Sequence, residues 1–341
     1  MEKSGYIIGF YFAQDAIIHC AYDTDTKQFS DIGRLDEVIE DGNECLIEAA
    51  KIIAEAYAGK GKPILGIGLA VPSAIIELKK DEPDYGKLGS PYGPRKWQDF
   101  NARDVMNNEL LLQGVTLANE NCIAIISQVG ATARGHFERS LREASDAGKA
   151  SDARNHNYIY IVADHGIGIA SISRGWLLHG NSVPNIGHSL VTPLEPSAPK
   201  PCKAHPLRNC LNSYASLDAI YERWPELGGD FSNCQDPNKL ALVANYLAQA
   251  ISNLVLFMSP TCIIMGGRIS DNERFLEHFR AQLEFMLQPH VDYKDTKYDP
   301  FDDLDEFIKH QDDKNDGVRG AVFPVERWIN PAIGITQDIK R

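Results

Sequence analysis

His188, Cys202, His205 and Cys210 have the types and spacing to do chemistry. The chain reads GH at 187–188, then a thirteen-residue Pro-rich gap, then C-x2-H-x4-C in PCKAHPLRNC. Two imidazoles and two thiols can close a tetrahedral shell around Zn2+, and closed N/S shells of this kind are structural rather than catalytic. A loop clamped by such an ion positions something else. The plainer reading is four ordinary loop residues. The spacing, just after a Gly-rich strand turn, favours the metal.

The elements around this cluster come in two similar sets. In the second half, strand Tyr158–Ala163, a DHGIG turn (164–168) and strand Ile169–Ser173 read as a hairpin ahead of the cluster. Lys239–Met258 then reads as a long amphipathic helix, followed by strand Thr261–Met265, the Gly266–Gly267 turn and helix Asn272–Leu287. Residues 291–317 are dense in Asp and Lys and read as a solvated loop.

The first half opens with strands Tyr6–Phe12 and Ile17–Tyr22, too close together for a parallel crossover and therefore a hairpin. Helix Glu44–Tyr57 and strand Ile64–Val71 follow, the strand apolar throughout as if buried on both faces. A Pro- and Gly-rich loop over 77–100 carries Trp97, which either stacks on a ligand or plugs the core. Helix Asp104–Gln113 comes next. Then Val115–Ala118 reads as a short strand ending at Asn119, Glu120 and Asn121, with a helix over Cys122–His136 and an Ala/Ser/Asp-rich surface insertion over 142–157. Both halves open on a hairpin and later carry a strand, Gly turn and helix. The expectation is two related α/β domains with a ligand cleft between them.

Size and composition agree. The chain has 341 residues with 43% apolar and 24% charged residues, enough for two ordinary soluble domains. A net charge of −13 argues against a nucleic-acid partner. No leader and no apolar run of membrane-spanning length is read, so the expectation is a cytoplasmic protein with no membrane partner. Reduced thiols there point to metal rather than disulfides.

Five pieces carry a family resemblance: NxN at 119–121, GIG at 166–168, GxxxxxxGH ending at 188, the Cys/His cluster followed by LNSYAS (211–216), and PxxIIMGG (260–267). On these the chain resembles the ROK family of bacterial sugar kinases and sugar-responsive repressors. The C-x2-H form with Pro184 before GH is most similar to the fructokinase-like branch, in which two His and two Cys hold structural zinc. The resemblance implies two actin-like, hexokinase-type (ribonuclease H-like) α/β domains. They are drawn at 1–118 plus 326–341 and at 119–325. It also implies a homodimer and a small-molecule sugar ligand.

The resemblance assigns roles residue by residue. Glu120 stands at the general-base position. Asn119, Asn185, His188 and Asn212 stand at sugar-binding positions, with His188 also a zinc ligand. Gly166 and Gly168 would approach phosphates, and Gly266 and Gly267 would border the nucleotide. An active kinase would take ATP and Mg2+.

Several positions depart from the family pattern. The phosphate turn after the first strand reads Tyr11-Phe12-Ala13-Gln14-Asp15, without the family's glycines and threonine. Glu120 replaces an Asp, Asn185 and Asn212 replace two Glu, and Asp164 and His165 replace small residues. Two Asn in place of two Glu would admit an acidic or phosphorylated sugar.

Two readings follow: an ATP-dependent hexose kinase, or a sugar-binding sensor of the same fold that has lost phosphoryl transfer. A DNA-binding repressor is disfavoured by the charge and by a first strand that starts within a few residues of Met1.

Overall fold

The computed structural model describes residues 2–37, 39, 41–72, 75, 81–89, 97–146, 157–180, 182–196, 199–202, 209–288 and 303–331. The chain divides into two compact units. One comprises Met1–Ser145, His179–Val183 and Asp313–Arg341, the other Asp146–Leu178 and Pro184–Asp312.

In the first unit, β1 (Tyr6–Phe12) and β2 (Ile17–Asp23) form the expected antiparallel hairpin. Two short strands, β3 (Gln28–Phe29) and β4 (Gly33–Leu35), pair with β2. The Asp41 carboxylate accepts from the backbone of Asn43 and Glu44 and starts helix α1 (Gly42–Ala56). That helix buries Cys45, Leu46, Ala49, Ala50 and Ile53 along one face.

Strand β5 (Ile64–Val71) is buried at every position and lies parallel to β1. A small two-stranded ribbon follows, β6 (Lys87–Leu88) with β7 (Phe100–Asn101), and then helix α2 (Ala102–Leu112). Strand β8 (Ile123–Ser127) runs parallel to β5 and leads into α3 (Gln128–Asp146). The sheet order is β3-β2-β1-β5-β8.

No strand forms over 115–118, and 122–136 is not one helix: its first part is β8. The IAII run is apolar without helical period, and pairing with β5 decides its form.

The second unit repeats the pattern. Antiparallel strands β9 (Tyr158–Ala163), β10 (Ile167–Ser173) and β11 (Trp176–Leu178) are followed, past short helices α4 (Leu211–Ala215) and α5 (Leu217–Arg223), by α6 (Pro237–Met258). Strand β12 (Cys262–Gly266) then lies parallel to β9. After α7 (Glu273–Leu287) and one turn of helix, α8 (Leu304–Phe307), strand β13 (Ile308–His310) lies parallel to β12. The order is β11-β10-β9-β12-β13.

Each sheet is therefore an antiparallel meander extended by two parallel strands, as the repeated pattern in the sequence implied. Among the described residues, only α6 is long and apolar enough to cross a membrane. Its apolar face (Leu240, Val243, Leu247, Ile251, Val255) is instead spent on the second core.

The segment expected to be a solvated loop contributes β13 and part of a core; its residues 291–302 lie outside the described residues. Helices α9 (Asp316–Gly320) and α10 (Phe323–Ile329) return to the first unit. Val322, Val325 and Ile329 pack with Ile7, Tyr22, Leu65, Cys122 and Ala124. Asp316, fully buried, takes a bidentate bond from Arg139 at 3.0 and 3.0 Å. The unit boundary falls near 145 rather than at 118, because β8 completes the first sheet. Likewise the first unit resumes at 313, not 326.

Candidate functional site

The backbone brings the thiols to the imidazole. His188 ends a short 3-10 turn (Ile186–His188). Just past it Val191 donates to Asn209 O and Leu211 to Ser189 O, both at 2.9 Å, which draws Cys210 alongside. Cys202 Sγ lies 3.4 Å from His188 Nδ1. The donor atoms of His188, Cys202 and Cys210 all fall within 4.8 Å of one another.

Zinc bonds of about 2.3 Å to sulfur and 2.0–2.1 Å to nitrogen place tetrahedral donors roughly 3.5–3.8 Å apart, so these three residues fit that ion. His205, expected as the fourth ligand, lies outside the described residues. Burial pushes the Cys210 thiol up, aided by the neighbouring Cys202 and opposed by bonds to Ser213.

Beside the cluster, Asn212 lies in the first turn of α4. Its Oδ1 accepts from the Ile167 N–H at 2.9 Å, tying α4 to the start of β10. It also rests on Gly187: a Cβ there would meet Asn212 Oδ1 at 2.4 Å and Ile167 O at 2.5 Å. Glycine is thus required by close approach. Asn185 flanks the same turn, and its carbonyl accepts from His188 N at 3.2 Å. Asn185, Gly187, His188 and Asn212 form one constellation.

The turn after β9 is held by charge. Arg268 donates to the Asp164 carboxylate from its backbone N–H at 3.2 Å and from its guanidinium at 2.7 Å. The His165 N–H adds a bond at 2.7 Å. Partial burial alone would raise the Asp164 carboxyl, but these bonds outweigh it and hold it below its ordinary value.

Next to it, His165 Nδ1 sits 2.6 Å and Lys200 Nζ 2.9 Å from the Asp218 carboxylate. Burial would raise Asp218 too, and the two partners hold it low instead. His165 is thereby tied to Asp218, 53 residues away in the chain. Gly267, at φ +89, lets the turn after β12 close against Ala163 O, where a Cβ would come within 2.4 Å. Gly166 has open space around it. Gly168 does not lie in the turn: it is paired with Val162 inside β10.

The Asp164 carboxylate oxygens are thus committed to Arg268 and to the His165 N–H. Sequence reading missed Arg268, Asp218 and Lys200, which no local pattern marks.

Asn119 and Glu120 lie in the first unit, in the turn that enters β8 rather than at the end of a strand. The Asn119 amide is spent internally: it accepts from Glu2 N at 2.7 Å and donates to Glu2 O and Leu65 O at 3.0 and 3.2 Å. Glu120 is exposed.

Ligands of open α/β sheets sit at the carboxyl ends of parallel strands. At β8 that end carries Ser127 and Gln128, and Gln128 Nε2 donates to Phe12 O at 2.5 Å. Trp97 is 1% exposed, against Phe12 with ring centres 5.0 Å apart, and serves the core.

The family model described as "ROK family" matches residues 144–327, more than half of the chain. The chain belongs to the ROK family. This ROK protein is 23% identical over 290 residues to the "Putative fructokinase" of Bacillus subtilis (strain 168), covering 83% of this chain and 86% of that one. It superposes on a ROK hexokinase from Thermus thermophilus with TM-score 0.64 at 18% identity, covering 96% and 100% of the two chains. A ROK family glucokinase from Streptomyces griseus, solved with glucose and AMPPNP, matches with TM-score 0.61 at 16% identity over 94% and 99%. Both likenesses show the fold: two actin-like α/β domains.

Proposed function

We propose that this ROK protein binds a sugar and does not transfer a phosphoryl group to it. The observation that carries the reading is the Asp164–Arg268 clasp, which puts a committed carboxylate on the turn where an ATP-using relative would need open backbone N–H groups. The second support is Gln128 at the carboxyl end of β8, an amide that cannot accept a hydroxyl proton as a carboxylate does.

On this reading zinc, held by His188, Cys202, Cys210 and His205, would fix the loop. Asn185, His188 and Asn212 would then meet sugar hydroxyls with amide and imidazole hydrogen bonds. The ion would supply rigidity and no chemistry. Asn119 keeps its place near the chain start as a brace. The protein would act as a cytoplasmic sensor, and we place it as a homodimer, consistent with exposed Leu256, Phe257 and Phe285.

The kinase reading, with Glu120 as base and Gly166, Gly168, Gly266 and Gly267 around ATP, is favoured by the likeness to the Bacillus subtilis protein over most of both chains. Calorimetric titration separates the two. Hexose should bind, while ATP with or without Mg2+ should give neither heat nor turnover. ATP binding accompanied by hexose phosphorylation would overturn the proposal.

A further inference from the structure

We propose that the first unit holds a separate binding site for a small organic phosphate monoester. The site is a cavity of about 400 Å3 bounded by the β3–β4 segment, α3 and the α9–α10 segment, and lined by Arg139, Arg142, Arg319, Phe29 and Phe323. Nothing in the sugar reading uses these residues, so the site stands whether or not that reading does. The volume suits a ligand the size of a sugar phosphate.

Charge decides the class of ligand. The chain carries a net charge of −13, yet three guanidiniums converge on this cavity. Two of them are already partnered: Arg139 with Asp316 and Glu143, and Arg319 with Asp313. Arg142 has no carboxylate partner among the described residues. Its guanidinium lies over three rings instead, 5.7 Å from Tyr22, 5.2 Å from Phe29 and 5.7 Å from Phe323.

Aromatic faces hold a guanidinium in place and partly dry it without using its N–H donors. Such a group is preorganised for an anion. Arg319 lies over the same Phe29 ring at 5.9 Å, so one oxyanion with three acceptor oxygens could bridge the two arginines. A carboxylate, with two oxygens, would saturate one fork. Phe29 and Phe323 leave apolar wall for the carbon body. Asp31, also lining the cavity, is exposed at its rim.

The test uses the full chain with glucose 6-phosphate, and with glucose, gluconate and inorganic phosphate as separate arms. Hydrogen exchange on the unaltered protein should show glucose 6-phosphate protecting 28–32 and 139–142, with no such protection from glucose. In calorimetry, Arg142→Met keeps the stem over the rings and removes the charge. It should weaken glucose 6-phosphate at least tenfold while leaving the glucose titration unchanged. Three outcomes would overturn the site: protection confined to 185–212, no protection from either phosphate, or equal binding by the variant. Gluconate binding as tightly would overturn the assignment to phosphate.

Discussion

The Arg268 guanidinium meets the Asp164 carboxylate at 2.7 Å, so the turn after β9 and the turn after β12 are fastened by one ion pair. Both partners are partly exposed, and after solvent screening the pair contributes roughly 0.5–1 kcal/mol. Arg268→Ala should lower stability by that amount at neutral pH. The Asp164 carboxyl titrates below its ordinary 3.8, so the benefit is complete above that value and disappears as the pH falls below it. Urea melts of both proteins at pH 7 and pH 3 check this: the gap between them should be present at the first and shrink at the second.

Purified protein should contain one zinc per chain by elemental analysis. Cys210→Ser should lose it, and chelation should lower the melting temperature, because binding energy at a structural site is folding energy. Full metal retention by the variant would remove the four-ligand clamp.

Gly187→Ala should be poorly tolerated, since the new methyl meets a backbone carbonyl at 2.5 Å as well as Asn212. Asn212→Ala takes away the acceptor of the Ile167 N–H and should cost about 1–3 kcal/mol. Both should also weaken hexose binding. Thermal melts and calorimetry on the same samples measure the two effects.

Glu120→Gln should leave hexose affinity and stability unchanged within error. Its side chain is exposed at the amino end of β8. Gln128→Ala, which releases the Phe12 carbonyl, should cost about 1 kcal/mol. A large loss of binding in Glu120→Gln with little change in Gln128→Ala would reverse this assignment.

Trp97→Ala should destabilise the first unit by about 3–5 kcal/mol, the range for emptying a buried aromatic site. Chemical denaturation followed by the remaining tryptophans tests it.

Much of the scaffold could be read from local pattern. The β1–β2 hairpin, α1, the wholly buried β5, α6 and the duplicated order of elements all follow from period, caps and chain economy. The β8 segment did not, because IAII carries no period and only its place beside β5 settles its form. Ile308–His310 was hidden among acidic neighbours for the same reason: a three-residue strand is defined by the strand it joins. Within the site, the approach of His188 to Cys202 and Cys210 was legible because residues able to share an ion stand close in sequence. The Asp164–Arg268 contact spans 104 residues and left no such trace. Reading NxN as the end of a strand failed because its neighbours were assigned to the wrong elements.

The closing position of α9 and α10 has a bearing on biosynthesis. One side of the first sheet packs against Val322, Val325 and Ile329 of this late segment, and the buried Asp316 that grips Arg139 comes with them. A ribosome must therefore release some three hundred residues, including nearly all of the second unit, before the earliest strands can be sealed. During that interval the nascent amino-terminal half exposes greasy surface, and chaperone dependence should end with translation of that last stretch.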